Sequence, residues 1–183
     1  MLWAKTQSRA TFNLATSGVG SFPLSELPGA TGNLEINGDS TYGFAPLQRA
    51  IARHCDVGPD CVVAAAGTSM ANHLAMAALI DPGDEVLMEH PVYELIPATA
   101  RYFGATVKTF ARHPESGFAI DPAAIRAALA PRTKLIVLTN LHNPSSVLTP
   151  EPVLREIGEL ARSVGARVLV DEDYLDAVYE NTP

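Results

Sequence analysis

The fold is decided by residues 134–172, which read KLIVLTNLHNPSSVLTPEPVLREIGELARSVGARVLVDE. The runs KLIVL and RVLV do not alternate with polar residues, as is typical of strands that helices cover on both faces. Thr149 before Pro150 predicts a helix start between the two runs, and Gly165 predicts its end. The helix has one apolar stripe at helical spacing, made of Leu154, Ile157, Leu160, Ala161 and Val164. This strand–helix–strand order predicts a parallel sheet in which both runs are central strands.

The same alternation begins further upstream, at Cys61. The runs CVVAA, EVLMEH and ATVKTF predict strands at residues 61–65, 85–90 and 105–110, with segments of helical length between them. Asp121 before Pro122 marks another helix start. We therefore predict an α/β fold, a three-layer sandwich around a mostly parallel sheet.

Residues 1–41 differ in composition from the rest of the chain. ATSGVGSFPLSELPGATGN, residues 15–33, is rich in Gly, Pro, Ser and Thr and predicts an irregular arm. A helix is expected directly after the arm, from about Phe44 to His54. The sequence thus predicts an N-terminal arm over residues 1–41 and one globular domain over residues 42–183.

Composition excludes several classes of function. The formal net charge of -7 comes from scattered acidic residues, which argues against a nucleic-acid or anionic-membrane surface. Cys55 and Cys61 form neither a CxxC pair nor a set with histidines, so a disulfide framework or a zinc site is not expected. Neither a leader peptide nor a membrane-spanning apolar run is recognisable. We expect a soluble, cytoplasmic protein.

Ligands of open parallel sheets bind beyond the carboxyl ends of the strands. Gly67, Thr68 and Ser69 lie between a predicted strand and a helix start, where backbone N–H groups and the helix dipole favour a phosphate. An ordinary capped turn is the alternative. Tyr93 follows the next strand end, and its ring either lies against a flat heteroaromatic ligand or packs in the core.

Two further strand ends carry polar groups. Asn143 follows KLIVLTN and has an amide able to donate to a phenolate oxygen, although Asn-Pro also favours a simple turn. Asp171 ends the run RVLVD. Three roles are open for its carboxylate: a metal ligand, the acid of a nucleotide hydrolase, or the partner of a protonated ring nitrogen. The GxxxxGK[ST] loop of such hydrolases is absent. Asp171, Glu172 and Asp173 cannot converge on a metal while extended, because neighbouring strand residues point to opposite faces.

An ordered set of segments carries a family resemblance. GTSMANHLAMAALIDPGDEVLMEHPVYE, LTNLHNPSS and VLVDEDYLDAVYE resemble the pyridoxal-phosphate (PLP) dependent aminotransferases of class I/II, fold type I. The similarity runs from about Tyr42 to the end of the chain. It implies that residues 42–183 are part of a PLP-binding large domain, without the C-terminal part of that domain and without the small domain. It implies a PLP cofactor, amino transfer between an amino acid and a 2-oxo acid, and a homodimeric parent enzyme. The family also includes lyases and decarboxylases.

The resemblance assigns a role to each matching position. Gly67, Thr68 and Ser69 match the loop that binds the cofactor phosphate, and Tyr93 matches the aromatic residue that stacks on the pyridine ring. Three more positions match residues around the ring. Asn143 and Tyr174 match the asparagine and the tyrosine that bind the phenolic oxygen, and Asp171 matches the aspartate that pairs with the pyridine nitrogen. Gly18 either matches the arm glycine that approaches the substrate carboxylate or belongs to a flexible linker. Tyr42 is given no role.

Two departures from the family pattern stand out. Asn143 and Pro144 are followed by Ser145 and Ser146, where the family has a glycine, so the geometry of this turn is open. The lysine that binds the cofactor covalently is expected beyond Pro183. No catalytic residue is therefore assigned within the chain.

The lysines of the chain do not replace the missing one. Lys5 lies in the arm, Lys108 lies within a predicted strand, and Lys134 opens a strand at the end opposite the ligand edge. A non-catalytic, cofactor-binding fragment is therefore the second hypothesis. The predicted strand at residues 61–65 is expected to pair with a strand outside the sequence, and its exposed edge would make the chain marginally stable.

Overall fold

The computed structural model describes residues 43–178 continuously, residues 21–29, and residues 11, 32 and 38. Gly18 and Lys5 lie outside the described residues. The strands are β1 (Glu85–His90), β2 (Thr106–Ala111), β3 (Thr133–Thr139) and β4 (Arg167–Asp171). The α-helices are α1 (Ala45–His54), α2 (Thr68–Leu79), α3 (Leu95–Tyr102), α4 (Pro122–Ala128) and α5 (Glu151–Val164). Short 3₁₀ turns lie at Leu24–Glu26, Pro59–Cys61, Pro114–Ser116 and Leu175–Ala177.

The strands form one sheet in the order β2-β1-β3-β4, and every pair is parallel. The predicted α/β class is confirmed, and four of the five predicted strands lie within one residue of their expected bounds. β3 is central and almost wholly buried, as its uninterrupted apolar run predicts. The prediction was wrong for β4, which lies at one edge of the described sheet and is only partly buried, because one flank alone has a neighbour.

Helices cover both faces of the sheet and make the three layers. Alternate residues of the central strands face opposite helices, because side chains of a strand alternate between its faces. One core cluster joins Leu87, Ile136 and Leu138 to the α4 and α5 side. The other joins Met76 and Ile96, from α2 and α3, to Val86, Met88, Leu135 and Val137. Each fully buried aliphatic side chain contributes about 1.5–3 kcal/mol, so this packing fixes the strand ends that carry the site.

The helix boundaries agree with the predicted signals except at one position. Asp121 caps α4 by accepting a hydrogen bond from the Ala123 amide, and Gly165 ends α5 in the left-handed conformation with φ 74°. The prediction was wrong for Thr149, since α5 begins at Glu151 and Pro150 is the N-cap. The Thr149 amide instead donates to Asn140 Oδ1 at 2.9 Å, which holds Thr149 outside the helix.

The strand predicted at residues 61–65 is also wrong. Cys61 ends a 3₁₀ turn, and Val62 has extended backbone angles, but no described strand lies beside it. Extended backbone becomes a strand only when a neighbour completes its hydrogen bonds. The Val62 carbonyl accepts from the Gln48 side chain at 3.2 Å, and Val63 is 79% exposed.

Candidate functional site

The expected site residues meet at the carboxyl ends of β1, β3 and β4. The strand register places Thr139, the last residue of β3, opposite Asp171, the last residue of β4. The next amide along β3, that of Asn140, donates to the Asp171 carbonyl at 2.7 Å. The loops that follow the two strands are therefore joined where the sheet ends, which is the ligand edge of a parallel sheet.

The Asp171 carboxylate is half-buried and fixed by two donors. Its Oδ2 accepts a hydrogen bond from Asn72 Nδ2 at 2.8 Å, and its Oδ1 accepts from the Asp173 amide at 3.3 Å. Asn72 is buried in α2, so its side chain links that helix to the sheet edge. The sequence interpretation missed Asn72, although this polar residue lies one turn after Thr68 on the same helix face.

The N-terminus of α2 is open in the way that a phosphate requires. Gly67 is the N-cap with φ 81°, and no side chain caps the helix. Among the described residues, no atom lies within 4 Å of a Cβ built on Gly67, so a side chain at this position would point into open space. Thr68 Oγ1 donates to Asp173 Oδ1 at 2.6 Å, and this bond joins the turn to the residues after β4. The backbone N–H groups of the first turn and the helix dipole together favour an anion.

Asn143 and Tyr174 line one cavity of about 220 Å³. The remaining wall comes from the loop after β3, at Leu141, His142, Pro144 and Ser146. Two residues separated by 31 positions in the chain are thus brought to the same space.

Ser69 and Tyr93 line a second, narrower pocket together with Asn72. The first turn of α2 and the loop after β1 are therefore close neighbours. This pocket and the 220 Å³ cavity have no lining residue in common. The hydrogen bond from Asn72 to Asp171 joins a residue of the second pocket to the carboxyl end of β4.

The loop that carries Asn143 is held by a buried histidine. His142 is 1% exposed; its Nε2 lies 2.9 Å from the Pro91 carbonyl, and its Nδ1 lies 2.5 Å from Ser145 Oγ. A carbonyl only accepts, so Nε2 bears the proton and the Ser145 hydroxyl donates to Nδ1. Burial lowers the pKa of His142 and outweighs the opposing effect of the Pro91 carbonyl, which keeps the imidazole neutral.

The turn without its glycine adopts the conformation that favours glycine. Ser146 has φ 62°, in the left-handed region. Its amide donates to the His142 carbonyl at 2.7 Å, and the His142 amide donates to the Val147 carbonyl at 2.9 Å. The turn is thus closed by backbone hydrogen bonds despite the serine.

A buried ion pair lies beneath the same loop, and the sequence interpretation missed it. Glu89 Oε2 accepts from Arg112 Nη1 at 2.8 Å, and both side chains are 0% exposed. Glu89 Oε1 accepts from the amide and the hydroxyl of Thr139 at 2.6 and 2.5 Å. An acid inside the run EVLMEH, and a base directly after the next strand, were the available signals.

Comparison with known proteins agrees with this arrangement. The sequence profile of the family "Aminotransferase class I and II" matches residues 30–183. The chain belongs to this family.

Two relatives and one solved structure illustrate its place among the class I and II aminotransferases. The probable aspartate/prephenate aminotransferase of Thermus aquaticus is 33% identical over 144 residues, 75% of this chain and 38% of the relative. Capreomycidine synthase of Streptomyces vinaceus is 32% identical over 185 residues, 96% of this chain and 48% of the relative. A mutant aspartate aminotransferase of Thermus thermophilus superposes with a TM-score of 0.74 and 31% identity, over 78% of this chain and 41% of that structure. The chain spans less than half the length of these proteins.

The residues present fit the PLP cofactor of an aminotransferase of this class. Phosphate requires an anion site, and the start of α2, which no side chain caps, has backbone N–H groups able to form one. A pyridine nitrogen requires an oriented carboxylate, which Asp171 supplies. An amide and a phenol, from Asn143 and Tyr174, share the cavity expected to hold the phenolic oxygen.

Among the described residues, no cluster of three or more His, Cys, Asp or Glu side chains is arranged to hold a metal. Lys108 lies in β2 and its Nζ is 2.7 Å from Glu85 Oε2, at the amino end of β1. Lys134 is the second residue of β3, at the same far end. Within the described part of the chain, no helix is both long and apolar enough to span a membrane.

Proposed function

We propose that this chain supplies the PLP-binding residues of an enzyme that transfers an amino group between an amino acid and a 2-oxo acid. The observation that carries the proposal is the Asp171 carboxylate at the sheet edge, tied through Asn72 to the helix whose N-terminus is open to an anion. The carboxylate that would bind the ring nitrogen and the helix that would bind the phosphate are thus joined by one hydrogen bond between β4 and α2.

PLP, when bound, supplies an electron-withdrawing ring for chemistry at the amino acid α-carbon. The protein groups have separate tasks in holding it. Asp171 binds the protonated ring nitrogen and keeps its proton in place, since an ionised carboxylate accepts but does not donate. Gly67, Thr68 and Ser69 bind the phosphate, and Tyr93 packs against one face of the ring. Asn143 and Tyr174 bind the phenolic oxygen.

The intact enzyme is proposed to act as a homodimer in the cytoplasm. Support for a subunit interface comes from apolar side chains exposed on α1 and α2, where Leu47 is 50%, Met70 45% and Leu74 44% exposed. Support for a reducing compartment comes from Cys55 and Cys61, which are both free and exposed. The substrate side chain is left open by these residues.

A second candidate is cofactor binding without turnover by this chain. It is favoured by the positions of Lys108 and Lys134, both far from the ligand edge. A parent reaction other than amino transfer is favoured by the likeness to capreomycidine synthase, a protein named for synthesis rather than transfer. Both alternatives keep the same cofactor residues.

The test is PLP binding by the 183-residue chain, followed by absorbance and by quenching of intrinsic fluorescence. Asp171→Ala removes a charged hydrogen-bond acceptor, so we expect PLP affinity to fall by about 10- to 100-fold. The matched control is Asp176→Ala, because Asp176 is 91% exposed and only approaches His54, at 3.6 Å. Equal affinity in the wild type and both variants, or no binding by any, would remove the proposal.

Borohydride reduction and intact mass then separate the two candidates. One cofactor added to a single lysine supports amino-group chemistry within this chain, and 2-oxo acid formation from a panel of amino acids would measure it. PLP binding without a reducible adduct supports the non-catalytic candidate.

A further inference from the structure

β3 carries a buried threonine at each end, and the two have the same hydrogen-bond pattern. Thr133 Oγ1 donates to Glu85 Oε1 at 2.6 Å and accepts from the Ala130 amide at 3.1 Å. Thr139 Oγ1 donates to Glu89 Oε1 at 2.5 Å and accepts from the Asn143 amide at 2.8 Å. Both glutamates belong to β1, so each hydroxyl joins the neighbouring strand to a loop. Only the second pattern lies at the ligand edge.

Glu89 holds Thr139 in one orientation. Its two oxygens accept from the Thr139 amide, the Thr139 hydroxyl and Arg112, and the side chain is 0% exposed. Arg112 is fixed in turn, because its Nε donates to the Phe118 carbonyl at 2.5 Å. A carboxylate with several donors and no exposure to water has no alternative rotamer of similar free energy.

This fixed carboxylate determines which part of the Thr139 hydroxyl faces the loop. A hydroxyl has one proton to donate and two lone pairs to accept with. The proton is used on Glu89, so a lone pair faces the Asn143 amide, four residues further along the chain. The peptide that bears the Asn143 side chain is thereby anchored to the buried end of the sheet.

We propose that Thr139, held by Glu89, is a positioning residue that fixes Asn143 toward the phenolic oxygen of the cofactor. The identity of the ligand rests on the proposed function, whereas the anchoring of Asn143 by Thr139 concerns only the described residues. Neither Thr139 nor Glu89 lines the 220 Å³ cavity, so both act through Asn143. His142 also holds this loop, through Ser145 and the Pro91 carbonyl, so we expect the loop to keep its fold when the Thr139 hydroxyl is removed.

The experiment compares three variants of the 183-residue chain. Thr139→Val keeps the branched shape and removes the hydroxyl, while Thr139→Ser keeps the hydroxyl. Thr133→Val is the matched control, since it removes a hydroxyl with partners of the same kind, a β1 glutamate and a loop amide, from the other end of β3. Urea unfolding measures the stability of each variant. Hydrogen exchange of the Asn143 amide, followed by NMR, measures the anchoring without any cofactor.

Cofactor binding is measured with PLP and with 3-deoxy-PLP, which lacks the phenolic oxygen. We expect Thr139→Val to weaken PLP binding by about three- to tenfold, the effect of one misplaced hydrogen bond, and to leave 3-deoxy-PLP binding unchanged. Thr139→Ser should restore PLP affinity. Thr133→Val should lower stability to a similar extent as Thr139→Val, with PLP affinity unchanged.

The outcomes separate this inference from the proposed function. Equal losses of affinity for PLP and 3-deoxy-PLP in Thr139→Val, or the same loss in Thr133→Val, would overturn the positioning role and leave a merely structural one. If the wild type binds no PLP, the proposed function fails. In that case, faster hydrogen exchange of the Asn143 amide in Thr139→Val, but not in Thr133→Val, would still support anchoring of Asn143 by Thr139. Unchanged exchange in Thr139→Val would overturn that anchoring.

Discussion

The buried Glu89–Arg112 pair allows a sharp prediction about stability. Arg112→Met keeps an unbranched side chain of similar length but removes the cation and two donors. Glu89 Oε2 and the Phe118 carbonyl lose the partners that now lie at 2.8 and 2.5 Å. Both charged side chains are 0% exposed, so water does not replace the lost donors.

The magnitude follows from what remains around Glu89. Removal of one partner from a buried ion pair costs about 3–5 kcal/mol. Oε1 keeps both donors of Thr139, which places the expected loss at the lower end, at about 3 kcal/mol. Domains of this size have total stabilities of about 5–15 kcal/mol, so the loss would be readily measured.

Equilibrium urea unfolding followed by far-UV circular dichroism is the assay. Arg155→Met is the control, because Arg155 pairs with Glu151 on α5 while 77% of its side chain is exposed, and we expect at most about 0.5 kcal/mol there. The double variant Glu89→Gln/Arg112→Met should be more stable than Arg112→Met alone, since a neutral amide needs no cation. A loss as small as that of Arg155→Met would refute the reasoning, and so would a double variant less stable than the single one.

Three further predictions concern the loop after β3 and the far end of the sheet. Burial lowers the pKa of His142, so the stability that the neutral imidazole supports is present above pH ~6.5 and is lost as pH falls through the lower pKa of the folded state. His142→Gln should therefore flatten the plot of unfolding free energy against pH in this range. An unchanged slope would contradict the prediction. Ser146→Gly removes the backbone strain of a serine in the left-handed region and should raise the free energy of unfolding by between zero and about 1 kcal/mol. Ser146→Val should lower it. Urea unfolding measures both variants, and a valine variant more stable than the wild type would contradict this strain. Burial raises the pKa of Glu85, but hydrogen bonds from Lys108 and Thr133 outweigh this effect and hold that pKa below its ordinary value. Lys108→Met should therefore destabilise the protein above pH ~4.5 and progressively less as pH falls. A loss of unfolding free energy that is the same at every pH would exclude this cause.

Much of the fold could be predicted from local sequence patterns. Short apolar runs identified the four strands of the sheet. The run of β3 is uninterrupted because burial on both faces removes the polar residues that would break it. Capping and stop signals at Asp121 and Gly165 identified helix ends because the groups that they satisfy are local. The failure at residues 61–65 has the opposite cause, since the pairing of a strand depends on a neighbour that its own residues do not specify.

The candidate site could be located from the sequence but not resolved in detail. The rule that parallel strands present ligands at their carboxyl ends was sufficient to select Asn143 and Asp171. The bond between Asn72 and Asp171 joins residues 99 positions apart, and the bond between Glu89 and Thr139 joins residues 50 apart. Such pairs depend on strand register and helix rotation, which no local pattern encodes. The resemblance to a family supplied roles for individual residues, but not these supporting contacts.

The supporting contacts explain how a site made largely of loop residues keeps one geometry. Loops have few buried backbone partners and are ordinarily more mobile than the elements they connect. Here two of the proposed ligands on a loop or strand end are bound to a group within the core or a helix: Asp171 to Asn72, and Asn143 to Thr139. His142 adds a third anchor through the Pro91 carbonyl. The entropy cost of ordering these groups therefore arises during folding rather than on cofactor binding. PLP affinity should thus depend more on the buried hydrogen bonds than on the number of contacts with the ligand.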